Sequence, residues 1–171
     1  MRIVFQILIL SFVFISCERE IKETPKEFAE KLVKMFNDFD NIASSLSRKA
    51  TKSTQNVLKE REIINDFLNQ SIKTLKRSKE INEDLKGKEK MITVFTSYKE
   101  VINSSKYTAF LKEIEKDKQE TNPTKKKNTS MFVGKKFELL KELMKDIIPV
   151  QTKAEKLELV IEQYQKLYVK G

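Results

Sequence analysis

Histidine and tryptophan are absent from this 171-residue chain, and cysteine occurs once. Without histidine the chain lacks the usual general base near neutral pH and the commonest metal ligand. A lone cysteine makes no internal disulfide and no metal-type cysteine spacing. The three glycines, Gly87, Gly134 and Gly171, stand apart, so no glycine-rich phosphate loop is encoded. Three glycines and three prolines also leave few turn formers for a chain of this length. These absences lead to the expectation that the protein is not an enzyme, with no catalytic residues, no metal ligands and no cofactor. Glutamate–lysine pairs are abundant, but at helical spacing they are ordinary surface links.

What is present is charge and helix-forming side chains. Charged residues make up 35% of the chain, with 34 Lys and Arg against 25 Asp and Glu, a net +9 and a pI near 9.4. Such a balance favours acidic partners: sulphated polysaccharide, anionic headgroups or nucleic acid. Most of the basic residues alternate with glutamates. The densest run is Lys125-Lys126-Lys127, beside Asn122-Pro123, with Lys135 and Lys136 close behind. These five lysines are the candidate polyanion contacts, because ammonium groups on a turn can adapt to sulphates.

The N-terminus differs from the rest. Arg2 is the only charge before an apolar run from Ile3 to Ile15, interrupted by Gln6 and Ser11, and Ser16-Cys17 closes it. The run is shorter than the roughly 20 residues of a transmembrane helix. Its charge, length and small closing residue fit a cleaved export signal. A signal cleaved between Ser16 and Cys17, with lipid on the thiol, uses the same features and also accounts for the cysteine. The segment Phe14-Ile15-Ser16-Cys17 resembles the lipobox of bacterial lipoproteins. The family prefers leucine where this chain has Phe14, so Val13 to Cys17 is more similar to the relaxed lipobox of spirochaetes and to the signal ends of Borrelia-type outer-surface lipoproteins.

That resemblance implies a signal peptide over 1–16, a palmitate-type covalent lipid on Cys17 as first mature residue, and an outer-membrane anchor. It implies a cell-surface location more than the periplasmic face. Residues 17–24 would be the lipidated end and a short polar tether reaching about 25 Å at roughly 3.5 Å per residue. For an exported, anchored chain no nucleic acid is expected, so the basic balance points to polyanions or to host proteins.

Residues 25–171 read as one helical domain. Thr24-Pro25-Lys26-Glu27 has the spacing of a capping box with proline at the first helical position. From Phe28 the apolar residues recur every three or four positions. One helix from Pro25 to Leu85 would be about 90 Å long at 1.5 Å per residue, and the hydroxyls from Ser44 to Thr54 favour a break or bend near 47–53. Gly87 is expected to end the helix that follows. Lys88 to Lys118 reads as one helical stretch, 120–129 as a loop, and Phe132 to Val169 as the last stretch. Phe137, Leu140, Met144, Ile147, Leu157, Ile161 and Tyr164 trace its core face. Pro149 is expected to kink or break this helix, with Thr152 and Glu155 at capping spacing for a restart. Tyr98, Tyr107, Tyr164 and Tyr168 read as half-buried core tyrosines with wet hydroxyls.

Such stripes can be buried only against one another. The expected fold is all-α, an up-and-down bundle of three to four long helices, with the oligomeric state open because the spacing also suits a coiled coil. The expected function is a lipid-anchored, non-catalytic surface protein that binds host or extracellular macromolecules. A periplasmic scaffold for a membrane complex is the alternative, and binding of apolar ligands between the helices is a third reading.

Overall fold

The computed structural model describes residues 21–50, 54–119 and 134–170. The protein is all-helical. Five helices occur among the described residues: α1 (Pro25–Ala50), α2 (Thr54–Arg77), α3 (Gly87–Asn103), α4 (Ser105–Gln119) and α5 (Lys135–Tyr164), the last running into a π turn (Gln165–Val169). Extended pairing among them is limited to one isolated parallel bridge between Ile21 and Ser78.

The first helix starts as its sequence requires. The Thr24 amide and hydroxyl each donate to Glu27 Oε2 at 2.8 Å, and the Glu27 amide donates to Thr24 Oγ1 at 3.2 Å. Those bonds satisfy donors that a helix N-terminus leaves open. The Thr24 amide, and then its hydroxyl, hold the Glu27 carboxyl below the usual range. Residues 47–50 are helical, and the rest of the stretch where a break or bend is expected, 51–53, lies outside the described residues.

One core gathers residues from all five helices, including Phe28 and Leu32 of α1, Leu68 and Leu75 of α2, Met91 and Phe95 of α3, Leu111 of α4, and Leu157 and Tyr164 of α5. Aromatic rings tie it together at offset or edge-on geometry. Phe39 meets Phe95 with centroids 5.1 Å apart and Tyr98 edge-on at 5.0 Å, and Phe28 meets Tyr164 at 6.0 Å. A fully buried side chain such as Phe28 or Phe95 contributes about 1.5–3 kcal/mol of transfer free energy.

Several sequence expectations need correction. The second helix ends at Arg77 rather than Leu85, and Gly87 opens α3 instead of closing α2. The left-handed residue is its neighbour Lys86, at φ 50° and ψ 45°. Gly87 is needed for a different reason: a Cβ there would lie 2.5 Å from Tyr164 Cε2 and 3.0 Å from Leu32 Cδ1.

The single stretch from Lys88 to Lys118 is two helices, which raises the count above three to four. Ser104 is extended, at φ −66° and ψ 154°, and its Oγ accepts the Tyr107 amide at 3.1 Å. Helix α5 is not broken at Pro149 but runs through it. Thr152 does not cap a restart, because its hydroxyl bonds back to the Ile148 carbonyl at 3.1 Å.

The core line in the first half of α5 is also shifted. Leu143 is buried, while Phe137 and Met144 are 40% and 37% exposed. The helix turns by about 100° per residue, so reading the face one residue late moves it off the core.

Candidate functional site

The most elaborated surface is the junction of α2 and α3, residues 78–86. Helix C-termini leave carbonyls without partners, and here the N-terminal segment and Ser78 take them up. The Ile21 amide donates to Arg77 O at 2.9 Å, the Ser78 amide to Leu75 O at 3.1 Å, and Ser78 Oγ to Thr74 O at 3.1 Å. Lys31 Nζ donates to Glu23 and to Ser78 Oγ while lying 5.1 Å from the centroid of the Phe28 ring. Residues 21–24 are thus held on the fold at both ends, by the bridge at Ile21 and the cap at Thr24.

Glu80 organises the junction. Its Oε1 accepts the Ile81 amide at 3.0 Å, the Asn82 amide at 3.3 Å and the Tyr164 hydroxyl at 2.5 Å. Its Oε2 accepts the Lys88 amide at 2.8 Å, placing a carboxylate at the N-terminus of α3, where the helix dipole favours it. Asn82 Oδ1 accepts the Asp84 and Leu85 amides at 3.2 and 2.9 Å, and its amide nitrogen donates to Tyr168 Oη at 3.2 Å. The Gly87 amide donates to Tyr164 Oη at 3.4 Å. Burial first, then the bond to Glu80, pushes the Tyr164 phenol well above its ordinary range. Its hydroxyl is an internal partner, not the wet tip read from sequence.

Over this frame lies an open cleft of about 660 Å³, lined by Lys76, Arg77, Ser78, Lys79, Glu80, Glu83, Lys86, Lys88, Glu89, Ile92 and Thr93. Five cations therefore face three carboxylates, and Glu80 is committed to internal bonds. Lys88 Nζ donates to Ser78 O at 3.0 Å. Lys86 and Glu89 approach to 4.0 Å with both side chains more than half exposed, a weak pair. The cleft offers several ammonium donors to an anion and no comparable set of acceptors to a cation.

The sequence reading did not single out these residues. The signal available is the density of lysine and arginine from Lys76 to Lys90, interrupted by Asn82-Glu83-Asp84, and the apolar rhythm that runs on through it masks the end of the helix.

Cys17, with Phe14, Ile15 and Ser16, lies outside the described residues, as do Lys125, Lys126 and Lys127. Lys135 is exposed at the start of α5, whereas Lys136 is only 6% exposed and offers a polyanion little surface. Lys135 sits at one end of α5 and the cleft at the other, roughly 44 Å apart along a helix rising 1.5 Å per residue. Among the described residues no group of three or more His, Cys, Asp or Glu is placed to hold a metal ion. No described helix is long and apolar enough to cross a membrane. Compared with known proteins, the chain matches no family model, no curated protein and no solved structure.

Proposed function

We propose that this protein is a lipid-anchored, non-catalytic helical surface protein that engages macromolecular partners outside the cell. The observation that carries the reading is the apolar run closed by Phe14-Ile15-Ser16-Cys17, with Cys17 the only cysteine. In this reading Cys17 bears the lipid, the outer membrane holds the anchor, and residues 25–171 form an up-and-down bundle whose last helix bends at Pro149. Polyanionic ligands or host proteins are taken at the end of α5 that carries Lys135, with Lys125, Lys126 and Lys127 preceding it in the chain.

Labelled palmitate should enter the wild-type chain and be lost from Cys17→Ala. Equal labelling of both would remove the basis of the proposal. For the ligand, heparin binding should fall when Lys125, Lys126, Lys127 and Lys135 are replaced by glutamine, and unchanged retention would refute that site.

A second reading, a periplasmic scaffold on a membrane complex, has one observation in its favour. Ile21 is bonded to the fold, so only the residues from Cys17 to Ile21 separate lipid from domain, at most about 14 Å at roughly 3.5 Å per residue. A domain held that close suits contacts made at the bilayer. Protease treatment of intact cells separates the two readings: digestion supports the surface protein and protection supports the scaffold.

A further inference from the structure

The point at which the chain enters the fold and the basic cleft are the same place. The Ile21 amide is bonded to Arg77, and Ile21 bridges Ser78, both of which line the cleft. We propose that this end of the molecule is its membrane-facing surface, and that Lys76, Lys79 and Lys86 at the cleft bind the phosphodiesters of anionic lipid headgroups. The proposal rests on the lipid-anchor reading and adds an orientation and a ligand class to it.

Three observations support it. The first is reach. With Cys17 in the bilayer, Ile21 must stay within about 14 Å of the interface, while α5 carries Lys135 roughly 44 Å from the cleft along its axis. Charges act on a membrane surface only within about a Debye length, near 8 Å at physiological salt. The cations able to do so are those around Ile21.

The second is the disposition of charge. Lys76, Lys79 and Lys86 are exposed. Two nearby cations are held by the fold: Lys31 by Glu23 and Ser78, and Lys88 by the Ser78 carbonyl. Among the acids, Glu80 is turned inward onto Tyr164 and backbone amides. Glu83 and Glu89 remain exposed on the lining, so the cleft selects an anionic surface by an excess of cations rather than by their exclusive presence.

The third is rigidity. Lys79 and Lys86 are carried by a junction whose backbone is fixed by Glu80, Asn82 and the Tyr164 hydroxyl, and Lys76 by the last turn of α2. The lysines therefore meet the headgroups from a preformed concave surface, which lowers the ordering cost of contact.

The test uses the full lipidated chain reconstituted into vesicles of phosphatidylcholine alone or with about a third phosphatidylglycerol. A membrane-impermeant amine-acylating reagent is added, and modification of each lysine is followed by mass spectrometry. Lys76, Lys79 and Lys86 should react roughly fivefold more slowly on phosphatidylglycerol vesicles, the scale of one lysine's attraction to an anionic surface, while Lys135 reacts at the same rate on both. Equal rates for all four on vesicle-bound protein would overturn the orientation and leave the anchor standing. Equal slowing on phosphatidylcholine vesicles given free glycerol phosphate would also overturn it, assigning the cleft to a soluble phosphate ligand. Protein that fails to float with either kind of vesicle would overturn the anchor reading, and this proposal with it.

Discussion

The two halves of α5, on either side of Pro149, share a helical apolar rhythm and have different surroundings. From Val150 to Tyr164 the helix buries Val150, Leu157, Val160, Ile161 and Tyr164 and leaves Leu159 61% exposed. From Lys135 to Ile148 it buries Leu143 and Lys136, and leaves Phe137, Met144 and Ile148 exposed at 37–53%. Both halves carry helical periodicity. What differs is the number of partners. The C-terminal half meets α1, α3 and the junction before α3, through Phe28, Leu32, Gly87 and Glu80. The N-terminal half meets α4 at an exposed pair, Lys106 with Asp146 at 2.7 Å. Periodicity makes a helix amphipathic, and neighbours decide how much of the apolar face is covered.

The sharpest way to break this contrast is a matched pair of truncations. Leu157→Ala, at a fully buried site, should cost about 2–5 kcal/mol by chemical denaturation. If Leu157→Ala proves as mild as Ile148→Ala, the two halves are not packed differently.

Next in size is Tyr164→Phe. It keeps the ring against Phe28 and removes the hydroxyl that Glu80 accepts. A bond to a charged acceptor contributes about 1.5–3 kcal/mol, so a loss on that scale is expected. The variant also changes the pH profile. A phenol raised in the folded state supports stability that is full below its ordinary value of 10.0 and is lost as pH climbs above it. Tyr98 and Tyr107 are raised too, chiefly by burial. Denaturation between pH 9 and 12 should therefore show a falling limb that Tyr164→Phe flattens without abolishing.

Pro149→Ala bears on the boundary itself. Proline withholds the amide that the Lys145 carbonyl would accept and crowds the preceding turn, a cost of about 3 kcal/mol in a helix interior. The exposed site tolerates alanine, so a gain of about 1–3 kcal/mol is expected, read as a higher denaturation midpoint. No gain would mean that the proline helps to seat the C-terminal half. The smallest effect belongs to Ile148→Ala, within about 0.5 kcal/mol, as for surface positions without special contacts.

Much of the architecture was legible residue by residue. The capping box at Thr24 and Glu27 and the core roles of Phe28, Leu32, Leu68, Phe95 and Leu157 follow from local chemistry and period. The Ser104 break was less legible, because a single extended residue between two helices leaves the apolar rhythm nearly intact. The end of α2 at Arg77 was hidden for a related reason: Ile81 and Leu85 continue an apolar rhythm while packing against the core from non-helical backbone.

By itself the sequence determined an all-helical chain, because few turn formers and a sustained three-to-four spacing leave little else that buries the apolar residues. The N-terminal pattern of charge, apolar length and one cysteine is local as well, and on it rests the proposal of an export signal. Only the tertiary structure decided the junction at residues 78–86. There Gly87 meets Tyr164 across 77 residues of sequence, Glu80 takes the Tyr164 hydroxyl across 84, and Ile21 closes on Ser78. Contacts of that range leave no periodic trace, since each depends on where distant helices cross rather than on neighbouring residues.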